Sequence, residues 1–412
     1  MIPGAVVDAL RSVRRPVCAY VYDRSVLRAT AAAVRSALPP GTLLLYAVKA
    51  NGHPGVVAAL AGEVDGFDVA SGGELALVRR ATAAQAPTPA ASTETARPQA
   101  PTATTATTLA FAGPAKTDAE LAAAVDAGAI VHAESLLELR RLALVAAEAA
   151  TRTPVRVALR VNRAGVVPAG SHRMTGVPTP FGFDESTLTD AVRLARQLPA
   201  VRLIGFHLHA VSNNLDAAAH AAYILDAVAW SVRAAADLGM ALEYVNVGGG
   251  FGVDYTRGTR FDLAALRCGL AGVVLPAGVT LAVEPGRYLV AAAGWYAAEV
   301  LDLKNTHGRW FAVLRGGTHH FRLPAAWGYS HPFTVTPVED WPYPFERPEV
   351  RDAEVDAVGE LCTPRDVLTR GQRVQRLRVG DLLVFADTGG YGWDISHRDF
   401  LLHPYPALLL TS

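Results

Sequence analysis

Between residues 22 and 290, short apolar runs alternate with longer amphipathic stretches, and this alternation restricts the chain to an α/β architecture. The apolar runs fall at 42–48, 66–69, 108–111, 129–131, 155–161, 203–209, 244–247 and 279–283. Segments such as 186–197 and 217–238 carry helical periodicity between them. A train of about eight βα units predicts a closed (β/α)8 barrel, with a doubly wound sheet as the alternative. In a barrel, chemistry gathers where the strands end at their C-terminal side. Lys49, Asp68, Arg160, His209, Gly248 and Glu284 all stand at such ends.

After Gly294 the texture changes to frequent turns and short β-rich runs at 310–314, 377–381 and 382–386. This part, 291–412, reads as a β-domain, and the N-terminal residues 1–21, with a strand-like run at 17–22, are expected to join it. Residues 81–108 stand apart from the 22–290 barrel. Ala, Thr, Pro and Ser dominate them, with Glu94 and Arg97 as the only charges and no aromatic, Leu, Ile, Val or Gly. Such a segment buries too little surface to offset its ordering entropy, so a disordered insertion is expected there.

Charge excludes several classes of function. Thirty-eight basic residues balance thirty-eight acidic ones, and no basic stripe suggests nucleic acid or a membrane surface. No apolar stretch reaches membrane-spanning length, and the N-terminus makes a poor signal peptide. Cys18, Cys268 and Cys362 are too few and too far apart for a disulfide framework, which suits a reducing compartment, the cytoplasm.

Lysine is scarce: only Lys49, Lys116 and Lys304 occur, and every other cation is arginine. Lys49 closes the run Tyr46-Ala-Val-Lys49-Ala-Asn51. An amine loses its proton when desolvated and forms Schiff bases, which a guanidinium does not do. The alternative is a lysine that snorkels from a strand end. Gly248-Gly-Gly-Phe-Gly252 follows an apolar run and allows backbone N–H groups to wrap an anion, although it is not a dinucleotide or P-loop pattern. Glu284-Pro-Gly286-Arg287 sets a carboxylate and a guanidinium close together. Glu284 could hold a ring nitrogen protonated and Arg287 could contact a phosphate. His207 and His209 point to one side of a strand. No acidic or Cys ligand stands at metal spacing nearby, so a ring-stacking imidazole is the sharper reading and no metal is expected. Cys362 and Asp366 share a polar, Pro-containing turn suited to acid–base work.

As an ordered set these segments resemble the fold-type III pyridoxal-phosphate decarboxylases, the family of ornithine, arginine and diaminopimelate decarboxylases. The resemblance rests on Tyr46 to Asn51, Phe67-Asp68 to Glu74, His207-Leu-His209, Gly248 to Gly252, Glu284 to Arg287, Cys362 to Asp366 and Asp387 to Tyr391. It implies an alanine-racemase-like barrel with a C-terminal β-domain and pyridoxal 5'-phosphate as cofactor. Lys49 would hold the cofactor covalently, His209 would stack on its ring, and Glu284 would protonate its ring nitrogen. Ser212, Gly249, Gly250, Arg287 and Tyr391 would hold the phosphate, with Gly286, Asp68 and Arg160 also at the cofactor. Cys362 would protonate the α-carbon, and Cys362, Asp366 and Tyr391 would meet the substrate. Cys362 and Asp366 would act in the second subunit's site, so a homodimer with shared active sites is implied.

Diaminopimelate decarboxylases usually carry Glu directly after the cysteine, whereas Thr363-Pro364 stands here. The segments Gly316 to His320 and Trp393 to Pro404 look more like the siderophore branch, which decarboxylates a diamino acid already joined to citrate. His319, His320, Arg365 and His397 are candidates for contacts to such an anionic substrate. Diaminopimelate or ornithine decarboxylation, and decarboxylation of a carrier-bound amino acid, are the alternatives. A racemase on the same fold would pair the ring nitrogen with Arg, against Glu284. A non-catalytic homologue would be expected to lose Lys49, Cys362 or the glycine loop, and all are present.

Overall fold

The computed structural model describes residues 2–83, 107–149, 153–165 and 167–412. By contact the chain forms two compact units, one of Ala31–Phe251 and Asp262–Gly286, the other of Met1–Thr30, Gly252–Phe261 and Arg287–Ser412. Strand β1 (Cys18–Asp23) belongs to the second. In the first, among the described residues, eight parallel strands follow in chain order. They are β2 (Leu43–Ala47), β3 (Gly66–Val69), β4 (Thr108–Phe111), β5 (Ile130–Ala133), β6 (Val155–Asn162), β7 (Val201–His207), β8 (Tyr244–Asn246) and β9 (Thr280–Val283). Each pairs with the next, and β9 returns to β2 with Ala282 opposite Leu43. Closure makes this the expected barrel and not a doubly wound sheet.

The strands are short and buried on both faces, as parallel strands under a helical layer must be. Leu45, Ala110, Ile130, Ala158, Ile204, Tyr244 and Ala282 form one cluster drawn from seven of the strands. Alanines opposite a tyrosine and branched side chains fill a tapering interior, the packing a small barrel requires. Polar caps stop the chain between strands. Thr117 and Glu120 make a reciprocal capping box on helix Asp118–Asp126, and the Asp216 carboxylate accepts from Ala219 N at the start of helix Ala217–Asp237. The expected insertion at 81–108 lies almost wholly outside the described residues, between the end of helix Gly72–Ala83 and β4.

The other unit is built on one mixed sheet of β10 (Gly294–Thr306), β11 (Arg309–Leu314), β12 (Phe333–Thr336), β13 (Glu349–Val358), β14 (Val367–Arg378), β15 (Leu382–Ala386) and β16 (Ala407–Thr411). The order is β12-β15-β10-β11-β13-β14, and β1 pairs antiparallel with β10 and parallel with β16. The N-terminal run therefore shares a sheet with both late segments. The run expected at 377–381 is a strand end followed by a turn, because Gly380 adopts φ +88° and Asp381 N donates to Arg378 O at 3.1 Å. No helix among the described residues is long and apolar enough to cross a membrane.

Candidate active site

The barrel strands end in a cluster of polar side chains that the chain has little reason to bury unless they act together. Lys49 follows β2 in a single 3-10 turn. Its amine lies 3.3 Å from the Asp68 carboxylate on β3, and its side chain is 41% exposed. Asp68 Oδ1 is buried with no hydrogen-bond partner among the described residues. Burial and the nearby Glu284 push the Asp68 carboxyl up to about 7, opposed by Lys49 and Arg160.

The two other lysines lie in different surroundings. Lys116 is buried, and its amine donates to Glu138 at 2.7 Å, Gly113 O at 2.8 Å and His132 O at 2.9 Å. All three donors are engaged, which makes it a structural cation. Lys304 is an exposed lysine 3.4 Å from Asp302 in the second unit. Lys49 alone combines partial exposure with a place at the barrel's strand ends.

Glu284, directly after β9, is held from two sides. Its Oε2 lies 3.2 Å from His207 Nε2, and Asn246 Nδ2 donates to its Oε1 at 2.5 Å. Beneath His207, His132 stacks at 4.1 Å between ring centroids. Both imidazoles are held well below their usual pKa, first by burial. His132, His207 and Glu284 also gather their ligand atoms within 4.8 Å, the one such metal-capable group among the described residues. The sequence offered no acidic ligand near His207 and His209, whereas the fold brings Glu284 and His132 to His207.

His209 lies two residues past β7, half-buried, with its ring nearly parallel to that of His207. Its Nδ1 accepts from Gly249 N at 3.2 Å, which ties the imidazole to the glycine loop. That loop has no room for side chains. A Cβ on Gly249 would come within 2.3 Å of the Glu284 carbonyl oxygen, and one on Gly250 within 2.6 Å of Val211 O at φ +101°. Gly286 packs against the turn that carries Lys49, where a Cβ would lie 2.9 Å from Ala50 Cβ. Ser212 forms a two-residue strand with Val211, and its carbonyl accepts from Ser171 N at 2.8 Å. Arg160, on β6, donates to Glu134 at 2.7 Å and stacks over Phe181.

His132, Glu134 and Asn246 did not emerge from the sequence. Glu134 directly follows β5, so the strand-end rule that isolates Lys49 points to it too. Asn246 interrupts the apolar run Tyr244-Val-Asn-Val, a visible signal for a side chain with a partner. His132 has only its place in a short apolar strand to mark it.

Four expected site residues belong to the second unit. Arg287 opens a short helix, donates to the Tyr255 hydroxyl at 2.6 Å, and lies over the rings of Tyr391 at 4.3 Å and Trp327 at 4.5 Å. The Tyr391 backbone is left-handed at φ +54°. Cys362 is an exposed thiol in the turn between β13 and β14. Asp366 closes that turn but is buried, accepting from Thr318 N at 2.6 Å and Leu361 N at 2.9 Å. Two backbone N–H groups occupy its oxygens, and it braces the Cys362 turn. The expectation for His319 and His320 is corrected. They are fully buried, His320 Nδ1 lies 3.2 Å from Cys18 Sγ, and burial lowers their pKa values to about 4 and about 2. Arg365 and His397 are exposed, as a contact to an incoming anion requires.

The barrel residues suit a pyridoxal phosphate. They provide a reachable amine, a carboxylate fixed by two neighbours for a ring nitrogen, an imidazole beside the glycine loop, and a side-chain-free turn for an anion. A family model described as the pyridoxal-binding domain of pyridoxal-dependent decarboxylases matches residues 24–291. The chain is 38% identical to the 2-[(L-alanin-3-ylcarbamoyl)methyl]-2-hydroxybutanedioate decarboxylase of Staphylococcus aureus, covering 98% of this chain and 96% of that one. It is 33% identical to a diaminopimelate decarboxylase of Pseudomonas fluorescens over 92% of this chain and 83% of the relative. A crystal structure of Helicobacter pylori diaminopimelate decarboxylase complexed with L-lysine superposes with a TM-score of 0.81 at 21% identity, covering 99% of this chain and 94% of that one.

Proposed function

The chain belongs to the pyridoxal-dependent decarboxylases, and from that premise we propose that it removes the α-carboxylate of a diamino acid already joined to citrate, in siderophore biosynthesis. One observation carries the choice of substrate. The Staphylococcus aureus relative, similar along both whole chains, is named for a substrate in which an alanyl group is joined through a carbamoyl link to a hydroxybutanedioate. Thr363 at the position after Cys362, where the diaminopimelate enzymes usually carry Glu, favours the same substrate.

The roles follow from the geometry. Pyridoxal phosphate, when bound, supplies the electron sink that makes loss of the carboxylate feasible. Lys49 would hold it through its amine, and Asp68, 3.3 Å from that amine, can store or return a proton there. Glu284 would pair with the ring nitrogen and favour its protonated form, while His207 and Asn246 hold the two Glu284 oxygens so that the carboxylate cannot rotate away. Burial keeps His209 neutral, suited to stack on an aromatic ring. Gly249, Gly250 and Ser212 offer a cradle for phosphate, and Arg287 and Tyr391 carry groups that could contact a phosphate. Cys362 delivers the proton that replaces carbon dioxide on the α-carbon.

The exposed thiol suits delivery into the site of a second copy, in a homodimer with shared sites. In the same unit Phe400, Leu401, Leu402 and Tyr405 leave a run of large apolar side chains exposed, Leu402 by 85%, as a subunit contact would use. Three free cysteines suit a cytoplasmic location.

The test is carbon dioxide release from a panel of citryl-diamine conjugates, diaminopimelate, ornithine, lysine and arginine. The citryl conjugate of 2,3-diaminopropionate is expected to turn over fastest. Faster turnover of diaminopimelate or ornithine would overturn the substrate.

A further inference from the structure

The β-unit contains a cavity of 620 Å³ beside the Cys362 turn, and its charge is one-sided. Arg322, Arg365, Arg370 and His397 line it with the hydroxyl residues Ser330 and Thr363, and no Asp or Glu is among its lining residues. Arg322 and Arg365 have no ion-pair partner among the described residues, and Arg370 reaches only Asp356, at 3.9 Å. Asp356 is already engaged by Arg309 at 3.0 Å. Three guanidinium groups line one cavity with no carboxylate among its lining residues, so an anion that enters is attracted by all three. We propose that this cavity is the subsite that recognises the hydroxy-polycarboxylate portion of the substrate, with Arg365 as its principal specificity residue.

The chemistry matches on three counts. A 2-hydroxybutanedioate head carries two carboxylates and a hydroxyl. Planar guanidinium forks bind carboxylates in bidentate fashion, and Ser330 and Thr363 can pair with the hydroxyl. The volume falls within the roughly 300–1,000 Å³ typical of small-molecule sites. Placement is the third count. Thr363 and Arg365 belong to the turn that Asp366 braces through Thr318 N and Leu361 N, so an anion held by Arg365 lies on the chain segment that carries Cys362. Recognition of the distal anion and presentation of the thiol would then be properties of one turn.

This inference rests on the citryl-conjugate reading, and its test separates the two. Citrate alone is titrated by calorimetry into the purified holoenzyme and into Arg365→Ala and Arg322→Ala. Citrate is expected to bind the native protein, and each substitution to weaken it by about tenfold or more, the scale of one charge-assisted contact. Both variants should raise KM for the citryl conjugate more than they lower kcat, while borohydride trapping of the cofactor on Lys49 stays intact. Arg365→Lys should recover part of the affinity, since charge persists without the planar fork. Failure of citrate to bind, or equal affinity in both Ala variants, overturns the subsite. Citrate binding without carbon dioxide release from any conjugate overturns the substrate reading and leaves the anion site standing.

Discussion

The barrel's strand ends and the turn around Cys362 solve opposite problems. At the strand ends, buried groups satisfy one another: Glu284 is gripped by His207 and Asn246, His209 by Gly249, and Arg160 by Glu134. Around Cys362 only Asp366 is buried and satisfied, while the thiol, Arg322, Arg365 and Arg370 face outward. The first arrangement is pre-organised, with charge and hydrogen bonds set before any ligand arrives. The second is a rigid turn that presents unsatisfied groups. Under the proposed function, the first arrangement would serve the cofactor and the second the substrate.

Lys49→Ala is expected to have the largest effect. Removing both the attachment point and a positioned acid–base group should cost at least about 10³-fold in carbon dioxide release. Borohydride should fix the cofactor to Lys49 in the native protein and to neither Lys116 nor Lys304 in the variant, read by peptide mass. Cys362→Ala should retain the cofactor and its attachment while losing about 10²-fold in kcat. An unchanged rate would remove the thiol from the chemistry. Asp366→Asn sets an amide N–H against backbone donors, so it should lower unfolding stability by about 1–3 kcal/mol, measured by urea denaturation. If Asp366 were instead a substrate ligand, KM would rise with stability unchanged.

The smallest effect concerns Asp68. Its carboxyl is raised from 3.8 to about 7, so the folded protein holds that proton more tightly than the unfolded chain does. The corresponding stability is present below about pH 4 and is lost as pH rises through about 7. Asp68→Asn removes this loss. In cofactor-free protein its urea midpoint should therefore gain on the native protein as pH rises from 4 to 8, and parallel curves would show that Asp68 titrates normally.

Much of the fold was legible because its signals are local. Apolar runs predicted all eight barrel strands to within a few residues, and the Glu284-Pro-Gly-Arg287 and triple-glycine segments marked two strand ends directly. His319 and His320 misled because a polar pair in a glycine turn reads as exposed, whereas the fold packs both rings inside the β-unit. The surroundings of Asp366 were hidden for a related reason. A carboxylate four residues from a thiol looks available until the amides of Thr318 and Leu361 are seen to occupy it.

Residue types and their order were enough to predict the βα barrel and to single out Lys49 at a strand end, because strand periodicity and strand-end placement are encoded within a few neighbouring positions. The grip of His207 and Asn246 on Glu284, the stacking of His132, and the convergence of Arg322, Arg365 and Arg370 on one cavity came only with the folded chain. Those contacts join residues tens of positions apart. Their partners are chosen by the register of neighbouring strands and the path of the intervening turns, and no local pattern in the chain records either.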